Sequence, residues 1–340
     1  MASTIQDHIN ILSALTPRRI WNAGQVWSSY WGSRWSGKPT HRGMPISISI
    51  EPTTSCNLRC PECPSGLRAF SRPTGMLKEE MFKGVIDQLA PTLAYLTFYF
   101  QGEPYLNPGF LEMVQYASRQ NIYTATSTNA HFLDDENARE TVASGLDRLI
   151  ISIDGTSQET YESYRIGGNL EKVIQGTQNI LRWRKELKSK TPHVGFQFLV
   201  VRPNEHQVPE VYALAKQLGV DRVALKTAQI YDYEKGSDLI PLQDQYARYK
   251  KNQDGNYSIK NQLLNHCWKM WNSCVVTWDG KVVPCCFDKD AHFVLGDLHQ
   301  KTFKEIWMGE KYQAFRATLL RSRSEIEICK NCTEGTKVWA

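Results

Sequence analysis

The chain of 340 residues is 41% hydrophobic and 22% charged, and its net charge is +5. These proportions are typical of globular proteins and exclude an intrinsically disordered chain. The length allows one large α/β domain beside a smaller one, each with its own core. The positive charge is too modest to indicate nucleic-acid binding, and we expect no nucleic-acid partner.

The nine cysteines are odd in number and fall into two groups, residues 56–63 and 267–332. This grouping differs from a disulfide framework and favours reduced thiols that bind metal. The sequence does not open on a signal-peptide pattern, and it lacks an apolar run of about 18 residues, the length that a membrane span requires. We therefore expect a cytoplasmic protein.

Residues 1–45 form a basic arm that is rich in tryptophan. The arm contains Trp21, Trp27, Trp31 and Trp35, and its basic residues outnumber its single acidic residue by five to one. The pattern predicts helix. Such an arm either packs as a lid across the end of a barrel or contacts a membrane surface or a partner through its aromatic and basic side chains.

Three cysteines follow the first predicted strand, residues 46–51, in the spacing C-x3-C-x2-C: Cys56, Cys60 and Cys63. Thiolates are the ligands that select iron-sulfur clusters, zinc or Cu(I). Structural zinc usually takes four ligands from paired motifs, and this triplet has no fourth ligand nearby. A loop with three ligands leaves one metal position unfilled, where a substrate can bind.

This run resembles the cluster-binding loop of the radical S-adenosylmethionine (SAM) superfamily. The resemblance implies a [4Fe-4S] cluster ligated by Cys56, Cys60 and Cys63, with SAM chelating the fourth iron. The family often has an aromatic residue just before the third cysteine, whereas this chain has Glu62.

Residues 46–230 alternate between short β-branched or aromatic runs and helices of mixed charge. We predict strands at 46–51, 94–100, 122–127, 147–153, 194–201 and 221–227, and helices near 78–90, 108–120, 134–144, 169–188 and 207–218. This alternation predicts a parallel sheet with right-handed crossovers. Six βα units suit an open, partial barrel, and the resemblance independently implies a (β/α)6 barrel.

Polar motifs follow the predicted strands at their carboxyl ends, the rim where βα barrels build their sites. By resemblance, Gly102 and Glu103 receive the methionine ammonium of SAM. Ser152 and Arg165 hold its carboxylate or ribose, and Asn129 and Asp154 belong to the same site. Asp154 could instead cap a helix, since Gly155 and Thr156 follow it.

Two segments downstream offer candidates for the substrate side. Lys226 ends the sixth strand and is a candidate proton acceptor, as is Asp288, although such charged groups are more often solvated. Residues 231–265 are polar and charged, and we interpret them as a linker.

The second cysteine group lies within a C-terminal domain that we place at residues 266–340. A hairpin pattern at 275–284 and a helix near 302–320 bring its cysteines together. The arrangement resembles the SPASM/twitch extension of radical SAM enzymes, and the spacing fits its single-cluster form. The resemblance implies one auxiliary [4Fe-4S] cluster held by Cys267, Cys285, Cys329 and Cys332. Cys274 and Cys286 are left over, and Cys286 could replace Cys285. A structural zinc ribbon is the alternative.

The resemblance implies an oxidoreductase that reductively cleaves SAM and abstracts a hydrogen atom from its substrate. A flavodoxin or ferredoxin would supply the electron. An auxiliary cluster ligated by four cysteines would accept an electron, so we favour two-electron oxidation of a small polyol or sugar-like molecule. A peptide- or protein-modifying maturase and a radical epimerase are the alternatives within the family, and a zinc-binding scaffold is the alternative outside it.

Overall fold

The computed structural model describes residues 2–335, and their side chains from Ile5 onward. Met1 of the predicted arm and residues 336–340 of the predicted C-terminal domain lie outside the described residues. The strands are β1 (Ser47–Ile50), β2 (Tyr95–Phe98), β3 (Tyr123–Thr128), β4 (Arg148–Ser152), β5 (His193–Val200), β6 (Arg222–Thr227), β7 (Tyr249–Lys251), β8 (Tyr257–Ile259), β9 (Ser273–Val276), β10 (Lys281–Val283) and β11 (Gly296–Asp297).

The α-helices lie mainly between the strands. They are α1 (Ala2–Ser13), α2 (Pro17–Ser36), α3 (Pro64–Leu67), α4 (Glu79–Leu89), α5 (Phe110–Arg119), α6 (Asp135–Ala143), α7 (Gln158–Tyr164), α8 (Leu170–Glu186), α9 (Val208–Leu218), α10 (Lys269–Asn272), α11 (Phe303–Trp307), α12 (Glu310–Arg321) and α13 (Glu327–Lys330). Within residues 2–335, no helix combines the length and the apolar character needed to cross a bilayer.

The strands β1 to β6 form a parallel sheet in chain order, as βα alternation requires. This confirms the predicted α/β fold with six βα units in a partial barrel. The helix-facing side chains of the strands, such as Phe98, Ile151 and Phe196, are buried with Phe110 and Val211 of the covering helices. The opposite faces of the strands are therefore left to line the barrel interior.

The C-terminal hairpin joins the barrel sheet. β9 pairs in parallel with β1, Ile48 opposite Cys274, and antiparallel with β10, which gives a nine-stranded sheet that runs from β11 to β6. The sequence pattern predicted the hairpin but not its pairing with β1, because β1 and β9 are more than 220 residues apart in sequence.

Three local features differ from the predictions. The helix expected near 302–320 is two helices, α11 and α12, with Gly309 as the amino-terminal cap of the second. The segment 231–265 contains the hairpin of β7 and β8, although its composition suggested only a linker. The short helix α7 follows β4 and was not predicted, because its capping residue Ser157 lies in a stretch that also reads as a turn.

Candidate active site

A cavity of about 250 Å³ opens at the carboxyl ends of the parallel strands. It collects most of the residues that the sequence analysis selected for one site: the three cysteines of the first group and five of the six expected SAM-contacting residues. These are Cys56, Cys60, Cys63, Gly102, Glu103, Asn129, Ser152 and Arg165. They come from four successive βα loops, so their convergence follows from the parallel order of the strands.

The cysteine loop is held in place mainly by hydrogen bonds from other loops. The Arg59 backbone N–H donates to the carbonyl of Ile166 at 3.0 Å, and the Asn129 side chain donates to Asn57 Oδ1 at 2.7 Å. Burial raises the pKa of the Cys56 thiol to about 12 and also raises that of Cys60. A buried thiol of this kind ionises only when a cation such as a metal centre replaces its proton.

The carboxylate of Glu103 lies at the base of the cavity and is 2% exposed. It accepts hydrogen bonds from the Thr128 hydroxyl at 2.6 Å and from the Asn129 backbone N–H at 2.8 Å. Burial raises the pKa of Glu103 to about 7. The carboxylate therefore gains from a cationic group delivered into the cavity, which would offset the cost of burying its charge.

Arg165 reaches the cavity from the loop after α7. Its Nε donates to Asp154 Oδ2 at 2.5 Å, and its Nη1 lies 3.9 Å from Cys60 Sγ. Asp154 is fully buried behind Arg165 and also accepts from the Leu199 backbone N–H at 2.7 Å. Asp154 therefore orients Arg165. It does not line the cavity in which it was expected to contact SAM.

Gln101 contributes an unsatisfied acceptor to the same cavity. Its Oε1 is buried and has no hydrogen-bond partner within the described residues. A buried amide oxygen without a donor is costly, so the site is complete only when a ligand supplies an N–H or O–H group. The sequence analysis assigned the neighbouring Gly102 and Glu103 to the site but not Gln101.

The opposite wall of the cavity contains Gln229, from the segment after the sixth predicted strand that was expected on the substrate side, and three residues that the sequence analysis missed. Gln197, Gln229, Arg248 and Lys289 line it, and Arg248 also donates to the Thr227 carbonyl at 3.2 Å. Burial lowers the pKa of Lys289. Arg248 lies in the segment interpreted as a linker, and only its position next to the β7 strand brings it to the site.

The two expected proton acceptors lie elsewhere. Asp288 is fully buried, and its carboxylate accepts the backbone N–H groups of His292 and Phe293 at 2.8 and 2.9 Å, which closes a loop. Lys226 is exposed on β6 and interacts electrostatically with Glu334. The structure favours Lys289, the neighbour of Asp288, as the side chain that faces the cavity.

A second, smaller cavity of about 20 Å³ gathers the other cysteine set. Cys267, Cys285, Cys329 and Cys332 all line it. Arg323 is fully buried beside them, and its Nη2 lies 3.2 Å from Cys332 Sγ. A buried guanidinium stabilises negative charge on neighbouring sulfur atoms. The sequence analysis did not select Arg323, because its neighbours Arg321 and Ser322 have the pattern of an ordinary helix end.

The two remaining cysteines lie outside this second cavity. Cys274 is buried on β9, and burial raises its pKa to about 12, as expected for an inert thiol that packs as a small apolar group. Cys286 packs against the cluster of Phe100, Val275 and Val283. Within residues 2–335, no three Cys, His, Asp or Glu side chains are arranged around a point where a single metal ion would fit.

Two family models match the chain in the order of these cavities. The model described as the radical SAM superfamily matches residues 50–186, and the SPASM model, described as an iron-sulfur cluster-binding domain, matches residues 267–333. The chain is a radical SAM protein with a SPASM domain. The three cysteines of the first cavity lie within the radical SAM match, and the four cysteines of the second cavity lie within the SPASM match.

Curated relatives and solved structures resemble the chain along most of its length. The tungsten-containing aldehyde ferredoxin oxidoreductase cofactor-modifying protein of Pyrococcus furiosus is 27% identical, over 79% of this chain and 82% of the relative. The PqqA peptide cyclase of Gluconobacter oxydans is 26% identical, over 87% and 84%. The structure of Streptococcus suis SuiB bound to S-adenosylmethionine superposes with a TM-score of 0.65 at 13% identity, over 92% and 77%, and therefore shows the shared fold.

The radical SAM domain depends on Gly102 for the close approach of two loops. Gly102 has φ +74, and a Cβ there would lie 2.2 Å from the carbonyl oxygen of Thr53, on the segment that leads to Cys56. We expect Gly102→Ala to lower the free energy of unfolding by at least about 3 kcal/mol, because backbone strain adds to the clash. Urea denaturation of the metal-free protein measures this.

A matched control is Gly84→Ala, at an exposed position of α4 where a Cβ would meet nothing within 4 Å. This substitution should raise the stability by up to about 1 kcal/mol, since alanine favours helix. Equal effects of the two substitutions would show that Gly102 is not constrained by the cysteine loop.

Proposed function

We propose that Cys56, Cys60 and Cys63 hold a [4Fe-4S] cluster to which SAM binds in the first cavity. The observation that carries the proposal is that these thiols and five of the six expected SAM-contacting residues, which are far apart in sequence, line one cavity. The donor set fits the group, because thiolates are the ligands of iron-sulfur clusters and three of them leave one iron open.

The polar groups of the cavity also fit SAM. Glu103 and the unpartnered Oε1 of Gln101 offer acceptors to the ammonium group. Arg165 and Ser152 offer donors to the carboxylate or to the ribose hydroxyl groups. When bound, the cluster and SAM supply one-electron cleavage of SAM and abstraction of a hydrogen atom from the substrate.

Side chains of this protein would position the reactants and accept the proton that the substrate loses. Asp154 fixes Arg165 from behind, so the guanidinium is oriented before SAM binds. Tyr164 and Leu199 add apolar surface to the polar cavity and limit the access of water. Lys289 faces the substrate side, and because burial lowers its pKa it is a better proton acceptor than a solvated lysine.

We infer that the substrate is a peptide or a protein segment, in preference to a small polyol. One relative that is similar over 87% of this chain is a peptide cyclase. An edge of the sheet supports this proposal, because within residues 2–335 the strand β6 ends the sheet and pairs with β5 alone. An extended peptide can add to such an edge and pass into the cavity beside Gln229 and Arg248.

We further propose that Cys267, Cys285, Cys329 and Cys332 hold an auxiliary [4Fe-4S] cluster, with Arg323 balancing its negative charge. The cavity between these thiols is small, so they would move apart around the cluster. A cluster ligated by four cysteines has no iron free for substrate, which suits it to electron transfer.

A flavodoxin or ferredoxin would supply the first electron. All nine cysteines are free thiols, which suits the reducing cytoplasm.

The substrate class can be tested with anaerobically reconstituted protein, reductant and SAM. Two deuterated pools serve as probes, a mixture of short synthetic peptides and a mixture of cyclic polyols. Deuterium should appear in 5′-deoxyadenosine with the peptide pool and not with the polyols. Transfer from the polyols alone would reverse the choice of substrate and leave the radical SAM assignment intact.

The raised pKa of Glu103 predicts that SAM affinity depends on pH. The carboxyl group is neutral below about pH 7, and only its ionised form attracts the ammonium group. The affinity should therefore increase about eightfold between pH 6.0 and pH 7.5, as expected for a single proton released on binding. Equilibrium dialysis with labelled SAM under anaerobic conditions measures this increase.

Glu103→Gln is the control for this pH dependence. The amide keeps the size of the side chain and cannot ionise, so its SAM affinity should be weak and nearly constant over the same range. A wild-type affinity that does not change with pH would exclude Glu103 as the partner of the ammonium group.

A further inference from the structure

The helix α2 exposes its tryptophans. Trp21 and Trp35 are 71% and 88% exposed, Ile20 is 57% exposed, and Trp27 is 48% exposed. With Trp31, which packs in part against the core and is only partly exposed, these side chains recur at helical spacing and form a single stripe along α2. We call these five residues the tryptophan stripe.

The opposite face of α2 is buried and largely polar, which reverses the usual arrangement of a surface helix. Asn22 donates to the Met44 carbonyl at 2.8 Å and accepts from the Met44 N–H at 2.7 Å. The Ser33 hydroxyl lies 2.7 Å from the carbonyl oxygens of both Ser29 and Thr40 and can donate its one hydrogen to either. Because these hydrogen bonds fix the polar face inward, α2 cannot rotate to bury the tryptophan stripe in its own core.

The preceding helix has the same reversed arrangement. Ile5 and Leu12 of α1 are 60% and 64% exposed, and Ile9 between them is 50% exposed. The buried side carries Asp7, which bonds the Tyr123 hydroxyl and Arg148. Two consecutive helices therefore turn apolar side chains to solvent, an exposed surface that usually marks an interaction site.

Cationic side chains are exposed in the same segment of the chain. Arg18, Arg34, Lys38 and Arg42 are exposed on α2 or just after it. The one acidic residue of the segment, Asp7, is neutralised by Arg148. The exposed surface of residues 5–42 is therefore cationic and aromatic, which complements anionic lipid headgroups above an apolar layer.

The two helices lie at the end of the barrel opposite to the first cavity. Asp7 contacts the first residues of β3 and β4, and Arg19 donates to the carbonyls of Ala90 and Gln120, just before β2 and β3. The cavity opens at the carboxyl ends of the same strands. A surface bound to α1 and α2 would leave the cavity mouth accessible.

We propose that α1 and α2 bind the surface of a membrane that contains anionic lipid. The tryptophan stripe and the isoleucine and leucine side chains of α1 enter the headgroup region, and the four basic residues contact the lipid phosphates. Tryptophan prefers this interface because its ring is apolar and its N–H is polar. The two helices would then lie along the membrane surface.

The test is co-sedimentation of the full chain with vesicles of phosphatidylcholine alone or mixed with phosphatidylglycerol. The wild-type protein should sediment with the mixed vesicles. Trp21→Ser/Trp35→Ser should lower the partition coefficient by at least about tenfold for each tryptophan, given the apolar area removed. Arg34→Gln/Lys38→Gln should lower it by roughly fivefold for each charge at low salt.

Trp183→Ser removes a tryptophan of α8, outside the stripe, and should leave the partition coefficient unchanged. Brominated lipids should quench the tryptophan fluorescence of the wild-type protein more strongly than the residual fluorescence of the Trp21→Ser/Trp35→Ser variant. The proposal is overturned if the wild-type protein ignores both vesicle types or if the stripe variant binds equally well. It is also overturned if sedimentation equilibrium shows that the stripe joins two copies of this chain.

Discussion

Cys60→Ala should reduce the formation of 5′-deoxyadenosine from SAM by at least about a hundredfold, more than a substitution beside a metal ligand usually costs. The reason is that two thiols cannot hold the cluster that cleaves SAM. Cys60 is buried in the first cavity, and no cysteine outside the triplet lines that cavity in the described part of the chain. Cys56→Ala and Cys63→Ala should behave in the same way.

Cys274→Ala is the matched control, because it also removes a buried thiol but lies on β9 away from both cavities. Its SAM cleavage should be close to that of the wild-type protein. If any one of the three triplet variants kept wild-type cleavage, that cysteine would not be a ligand of the cluster.

Cys329→Ala and Cys332→Ala should each lower the iron content from about eight to about four atoms per chain, as expected for loss of one of two [4Fe-4S] clusters. Both thiols are buried in the second cavity, and neither contacts the first. SAM cleavage should therefore persist while turnover of the substrate is lost. Iron and sulfide analysis after anaerobic reconstitution measures the first effect.

Cys286→Ala tests the choice between adjacent thiols. Cys285 lines the second cavity, whereas Cys286 packs against the apolar cluster of Phe100, Val275 and Val283. The Cys286 variant should keep about eight iron atoms. A loss of four would mean that Cys286 replaces Cys285 as a ligand when the cluster binds.

The elements of the barrel could be predicted from sequence because their signals are local. Each of the six strands and five helices predicted between residues 46 and 230 is present, with ends that differ by at most two residues. The parallel order then placed Glu103, Asn129 and Ser152 at one rim, since carboxyl ends of parallel strands meet on the same edge. The spacings of the two cysteine groups likewise indicated which thiols lie together in each cavity.

The groups that the prediction missed depend on contacts between distant segments. Arg248 reaches the cavity from a hairpin whose composition resembles a linker, and Arg323 enters the second cavity from a short 3₁₀ turn. Lys289 and Asp288 are adjacent, and sequence alone does not show which one faces the cavity. Both residues lie in a loop between β10 and β11, where no regular period indicates which side chain faces the cavity, so this choice needs coordinates.

The arm shows a different limit. Its tryptophans and basic residues suggested either packing or an interfacial role. The structure shows that one face of α2 packs against the rest of the protein and the other face is exposed. Polar residues such as Asn22 and Ser33 pack inward, and Trp21 and Trp35 face outward. Hydrophobic periodicity locates the apolar face of a helix but does not tell whether that face is buried.

The most direct test of the proposed site is the electron paramagnetic resonance spectrum of the reduced cluster with and without SAM. The measurement uses the Cys329→Ala variant, so that only the cluster of the first cavity contributes. Addition of SAM should change the g values, because SAM would bind the iron that the three proposed ligands, Cys56, Cys60 and Cys63, would leave open. A spectrum that stays the same at saturating SAM would contradict the assignment of this cavity as a radical SAM site.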